Sequence, residues 1–180
     1  MMTLKQIDQS PLLQLDKPKE LSHGMKIYPT QGQFSFKIME VQTPFEPSVF
    51  NGTGLEERQN LLFSISADDY QQLKSLEADI YLQLQDKCPD IATRWTSCLK
   101  DATDKWPATL RTKINMKGTR ACKFLGAIGD PTMPPESWRM LSTNAVIRIG
   151  GVYLQARGAG LLVEVTHLQY AAQPPMNPFA

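Results

Sequence analysis

Apolar and polar residues alternate along 33–41: Phe34, Phe36 and Ile38 fall on one parity with Glu40, and Ser35, Lys37 and Met39 on the other. A period of two predicts a half-buried strand. MKIY (25–28) predicts a shorter strand before it, with a turn over Pro29–Gly32. Residues 42–59 hold Pro44, Pro47, Gly52 and Gly54 and read as a long loop. NLLFSIS (60–66) is a short apolar run that predicts a buried strand. Ser66 then precedes Asp68 and Asp69, a helix start with a side-chain cap and acids at the positive end of the dipole. The helix predicted over 67–87 carries Tyr70, Leu73, Leu76, Ile80, Leu82 and Leu84 broadly along one side, and Pro89 ends it. Asp90 caps a second predicted helix over 91–103, with Ile91, Trp95 and Leu99 at helical spacing.

Pro107 marks the return to strands. ATLRTKINM (108–116) and RACKFLGAI (120–128) read as a hairpin joined by Lys117-Gly118-Thr119. Residues 129–143 are a Pro-rich loop with one helical turn at Glu136–Leu141. Residues 144–170 are the strongest β signal, with a bulge or bend at Gly150-Gly151 and a hairpin turn at Gly158-Ala159-Gly160. The order predicts a mainly β protein with a helical insert over 67–103. An OB-like closed or partly open β-barrel, with the helix between strands 3 and 4, fits this order. A β-sandwich with a helical insertion is the alternative. Residues 23–170 form the single domain, residues 1–22 a flexible N-terminal arm or edge segment, and residues 171–180 a Pro-rich tail.

Composition narrows the function. The 180 residues carry a net charge of only +1, which excludes a uniformly cationic nucleic-acid packer. The charge is unevenly placed: residues 1–104 hold 10 basic and 15 acidic side chains, and residues 105–180 hold 9 basic and 3 acidic. No apolar run nears the roughly 20 residues of a membrane span, and the first 20 residues lack a signal-peptide pattern. Three cysteines without a CxxC pair predict an intracellular, reducing compartment. With only His23 and His167 beside them, no zinc site is expected, nor any other cofactor. Phosphate-loop, dinucleotide, GxSxG and HExxH patterns are all absent, so the reading is not an enzyme.

The basic half points to a ligand. Residues 111–123 carry Arg111, Lys113, Lys117, Arg120 and Lys123 with no acid among them. On a strand, Arg111 and Lys113 project to one face and Leu110, Thr112 and Ile114 to the other. Arg148 and Arg157 extend the stripe. Such a face attracts phosphates, and aromatic rings beside it would stack on unpaired bases. Tyr153 is the best placed ring, since it shares parity with Gln155 and Arg157. Trp106, Trp138 and Phe124 are further stacking candidates, whereas Trp95 sits on the apolar helix stripe. Cys122 reads as packing and His167 as a satisfied barrel histidine.

The segment WPATLRTKI, followed by AVIRIGGVYLQARGAGLLVEV, resembles the OB-fold single-stranded DNA-binding proteins of bacteriophages and large DNA viruses over residues 106–170. The resemblance implies sequence-independent binding of single-stranded DNA, or RNA, in replication, recombination or repair, by a homo-oligomer, most simply a dimer. Arg111 and Lys113 match the basic strand and Tyr153 the ribbon aromatic. It also implies replication proteins as partners of the C-terminal tail, although this tail keeps Pro174, Pro175, Pro178 and Phe179 without an acid. The alternative is a structural or assembly protein, such as a virion component, that uses the barrel face and the Pro-rich ends.

Overall fold

The computed structural model describes residues 13–22, 24–30, 34–49 and 57–171. Strands β1 (Lys19–Leu21), β2 (Gly24–Ile27), β3 (Phe34–Thr43) and β4 (Arg58–Ser64) precede helix α1 (Ala67–Gln85) and a 3-10 turn over Pro89–Thr93. Strands β5 (Leu99–Lys100), β6 (Thr109–Asn115), β7 (Lys123–Leu125), β8 (Leu141–Gln155) and β9 (Gly158–Gln169) follow. The protein is thus mainly β, as its pattern predicts, with one α-helix among the described residues.

The strands form one sheet that curls into a partly closed ring. From β8 the pairing runs through β3, β4, β6 and β9 and back to β8. Two joins are short. β3 meets β4 at Gln42 and Ser64, and β6 runs parallel to β9 over Lys113–Glu164 and Ile114–Val165. The architecture is therefore OB-like but is not a full barrel. The ring interior holds Phe36, Ile38, Leu61, Phe63, Leu110, Ile114, Ile147 and Val165, all buried. Helix α1 closes it with Leu73, Leu76, Ile80 and Leu84. Ser66 caps the helix by accepting from the Asp69 N–H at 3.2 Å.

Several elements differ from expectation. Leu13 and Leu15 are buried, and β1 pairs with β2, so 13–22 are an edge segment and not an arm. The Gln83 side chain and Lys87 hold this segment by donating to the carbonyls of Leu13 and Leu15. Because β1 counts as a strand, α1 follows the fourth strand in chain order. Within the ring it lies between the second and third strands, β4 and β6. The second helix over 91–103 is reduced to the 3-10 turn, because Trp95 pairs with Ala159 and β5 pairs with β6. No helical turn forms at 136–141. The hairpin over 108–128 is also absent: β7 pairs with β9, further along the strand that β6 joins, and the chain between them closes on itself through Cys122 N–H to the Asn115 carbonyl at 2.7 Å. The β8–β9 turn lies at Ala156-Arg157, since Gln155 already pairs with Gly158. The first dozen residues, His23 and the tail beyond 171 lie outside the described residues.

Two bulges set which side chains face out. In β3 the register shifts between Ile38 and Val41, and Glu40 takes a positive φ of 54°, so it leaves the core parity it shares in sequence. In β8 the shift falls at Gly150-Gly151, and Gly151 has φ 127°. A Cβ there would lie 2.1 Å from the Ile27 carbonyl oxygen of β2. Gly151→Ala is therefore expected to destabilise the fold by roughly 2 kcal/mol or more, from backbone strain plus loss of the β2–β8 join. A urea midpoint equal to that of the unaltered protein would contradict this.

Candidate nucleic-acid interface

The outer surface of the sheet is built from alternate residues of four strands. β6 turns Arg111 and Lys113 outward and buries Leu110, Thr112 and Ile114. Its neighbour β4 sets Asn60 opposite Lys113 and Leu62 opposite Arg111, with Arg58 one step further on the same face. On β8, Arg148 faces out before the bulge and Tyr153 after it. β2 places Lys26 beside Tyr153.

An open cavity of about 780 Å³ lies on this surface, lined in part by Arg58, Arg111, Lys113, Tyr153 and Arg157. Its ring is fixed by the adjoining strand. Tyr153 pairs with Gly160, where a Cβ would lie 3.0 Å from the Tyr153 hydroxyl and 3.2 Å from its Cε1. The glycines taken from sequence as a turn thus lie within β9 and give the ring room to lie across the strand. A Gly160 Cβ would also meet the Thr96 carbonyl at 2.8 Å, because the chain at 95–100 packs closely here. That segment forms the cavity wall. Thr96 N–H donates to the Ala159 carbonyl at 2.8 Å, and Ala159 N–H donates to the Arg94 carbonyl at 2.9 Å. Behind the wall, buried Glu77 of α1 accepts from Trp95 Nε1 at 2.9 Å and Ser97 Oγ at 2.7 Å. Trp95 packs edge-on against Tyr81, as its place on the apolar stripe suggests.

A second cavity of about 260 Å³ lies on the same sheet, bordered by Lys26, Tyr28, Arg120, Arg148 and Glu164. Glu164 links the two. It accepts from Arg58 at 2.9 Å and from Arg148 at 2.5 Å, and it pairs in register with both Arg148 and Lys113. The two linings together hold seven cations and this one carboxylate, so the face is strongly positive. The charge crowding is felt locally. Burial, then the charges of Arg58 and Arg111, hold the Lys113 ammonium below its ordinary pKa. Lys113 also donates to the Asn60 side chain.

The predicted residues therefore separate into groups. Arg111, Lys113, Arg157 and Tyr153 come together, and Arg120 and Arg148 line the second cavity. Lys117 is exposed in the loop between β6 and β7, and Lys123 pairs with His167 beyond both cavities. Trp106 is exposed but packs against Phe45 at 6.0 Å in the loop before β6, outside both linings. Phe124 and Trp138 are buried edge-to-face at 5.9 Å, so neither ring offers a face to a base. The Glu46 carboxylate holds the Trp138 loop by accepting from the N–H groups of Trp138 and Arg139 and from the Ser137 hydroxyl. Cys122 is buried, and burial pushes its thiol up to about 12. His167 is half-buried, with Nδ1 3.1 Å from the Thr166 hydroxyl. Arg58, Asn60 and Lys26 were missed. The alternation Arg58, Asn60, Leu62 against Leu61 and Phe63 is the signal that exposes the first two.

No protein-family profile and no curated protein matches the chain. Its fold does match solved structures. The single-stranded DNA-binding protein of bacteriophage Enc34, in complex with ssDNA, aligns over 91% of this chain and 97% of that one, with 11% identity and a TM-score of 0.50. A C-terminal truncation of the same protein gives 12% identity and a TM-score of 0.51 over 89% and 96% of the two chains. The single-stranded DNA-binding protein gp2.5 encoded by bacteriophage T7 gives 10% identity and 0.53 over 81% and 96%. At these identities the similarity is one of fold.

Glu164 provides a test of the site's electrostatics without any ligand. Burial raises its carboxyl pKa, but the hydrogen bond from Arg148 and the charges of Arg58, Arg148 and Arg120 outweigh this, and the net shift is downward. A carboxyl depressed on folding contributes stability that is present above its unfolded pKa and is lost as pH falls through the folded value. Glu164→Gln is expected to be less stable than the unaltered protein at about pH 7, with the gap narrowing once pH falls to about 4.3, where half of the unfolded chain's carboxyl is protonated, and closing as pH falls through the lower folded value. A gap that stays constant down to acid pH would show that the ion pairs contribute nothing.

Proposed function

We propose that the chain binds single-stranded DNA without sequence preference and acts in DNA replication, recombination or repair. The observation that carries this is the shared cavity: Arg58, Arg111, Lys113 and Arg157 line it together with one ring, Tyr153. Cations hold phosphates of any sequence, and a ring stacks on any unpaired base. Duplex DNA keeps its bases stacked on each other, so a ring in the floor of an open cavity suits a single strand. The fold shared with phage proteins that bind ssDNA supports the same reading.

We read the protein as a binder and not an enzyme. The only carboxylate among the cavity linings is engaged by two arginines, and burial holds the cavity-lining Cys98 thiol well above its ordinary pKa, so it stays protonated. Neither group is poised as a base or nucleophile.

The test is anisotropy of a labelled oligo-dT titrated at two salt concentrations. The logarithm of affinity should fall linearly with the logarithm of salt. Arg111→Ala combined with Lys113→Ala should make that slope shallower by about 0.7 for each phosphate no longer neutralised. Tyr153→Ala should weaken binding by about 1–3 kcal/mol, the usual worth of one base–aromatic stack, while Tyr153→Phe retains it. An unaltered protein that binds no oligonucleotide at low salt would overturn the proposal.

A further inference from the structure

We infer that the smaller cavity is a second phosphate subsite, which takes the continuation of the same strand after it crosses the Arg58–Glu164–Arg148 ridge. The inference rests on the proposed single-strand binding and adds Lys26, a cation outside the basic stripe, to Arg120 and Arg148 of that stripe.

Four observations support it. Lys26 and Arg120 come from distant parts of the chain, strand β2 and the loop after β6, yet they border one cavity. Arg120 is exposed. Lys26 is held in place, its ammonium 4.4 Å from the centre of the exposed Tyr28 ring, a cation–π contact that orients the charge without neutralising it. Lastly, the two cavities are neighbours on one surface. Lys26 pairs with Tyr153 across β2 and β8, and Arg148 stands on that same β8, about 16 Å from Tyr153 at a rise of roughly 3.3 Å per residue.

That spacing separates short ligands from long ones. Sites on such folds span about 4–16 nucleotides. An oligo-dT of about four nucleotides fits the larger cavity alone, and one of about twelve reaches both. The full-length protein and its Lys26→Ala plus Arg120→Ala variant are titrated with both. The short oligonucleotide should bind the two proteins alike. The long one should bind the variant roughly tenfold more weakly, the effect of about 1.4 kcal/mol. Its salt slope should be shallower by about 0.7 for each phosphate left without its cation.

Lys37→Ala plus Lys105→Ala removes the same charge outside both cavities and should bind both lengths as the unaltered protein does. If the double variant has a lowered melting temperature, the single changes Lys26→Gln and Arg120→Gln replace it. Equal binding of the long oligonucleotide by variant and unaltered protein overturns the subsite. Equal weakening at both lengths also overturns it, since the residues would then act on the larger cavity. Failure of the unaltered protein to bind either length counts against the parent proposal instead.

Discussion

The outer face of this sheet exists as one surface because β8 carries an extra residue at Gly150-Gly151. In a regular strand, residues 148 and 153 have opposite parity, and one of them would point into the core. The bulge shifts the alternation by one. Ile147 and Ile149 are buried before it, Val152 and Leu154 after it, and Arg148 and Tyr153 both face outward. The same bulge brings β2 onto β8, because only a glycine at φ 127° leaves room for the Ile27 carbonyl. Lys26 then arrives beside Tyr153. A single backbone irregularity thus aligns the ring, the ridge arginine and the β2 lysine.

The other wall of the larger cavity depends on α1. β6 and β9 pair only near Lys113 and Glu164, and the chain at 95–100 bonds to both of them nearby. So short a segment has little apolar area to fix it. Its position is set by Glu77, a buried carboxylate whose oxygens take hydrogen bonds from the Trp95 indole and the Ser97 hydroxyl, with the Cys98 thiol 3.7 Å away. A buried carboxylate is tolerated only when its lone pairs are met in this way. The helix is therefore more than a plug: it carries the anchor that holds Thr96 and Cys98 at the cavity edge.

Much of this was legible because local alternation survives in the fold. Arg111 and Lys113 against Leu110, Thr112 and Ile114, and Tyr153 with Gln155 against Val152 and Leu154, read directly as outward and inward sets. What was not legible depends on partners far along the chain. Ile91, Trp95 and Leu99 have helical spacing, yet Ala159 and Leu110 claim Trp95 and Leu99 for β pairing. Lys117-Gly118-Thr119 looks like a hairpin turn, but β7 pairs in parallel with β9, and parallel pairing leaves no local signature. Trp138 sits in a Pro-rich loop that suggests exposure. The hold of Glu46 on that loop and the Phe124 ring bury it instead.

Glu164 explains how a chain of net charge +1 can present so positive a face. Arg58 and Arg148 meet at one carboxylate whose side chain is only 10% exposed. Without that carboxylate two guanidinium groups would stand together in a half-buried place, where like charges repel more strongly than in open water. Burial first, and then the charges of Arg58 and Arg111, hold the Lys113 pKa down even with Glu164 present. In the proposed complex an arriving phosphate relieves this repulsion, and that relief favours the bound state. Glu164 acts in the opposite direction on the two states: it stabilises the free protein by pairing two arginines, and it competes with any phosphate for the same two side chains. On the proposed function, the free protein's stability and its affinity for an anionic strand are therefore opposed at this residue. Substituting the carboxylate by an amide lowers stability and frees two arginines for phosphate, and substituting a groove cation such as Lys113 has the opposite pair of effects, relieving repulsion and losing a phosphate contact.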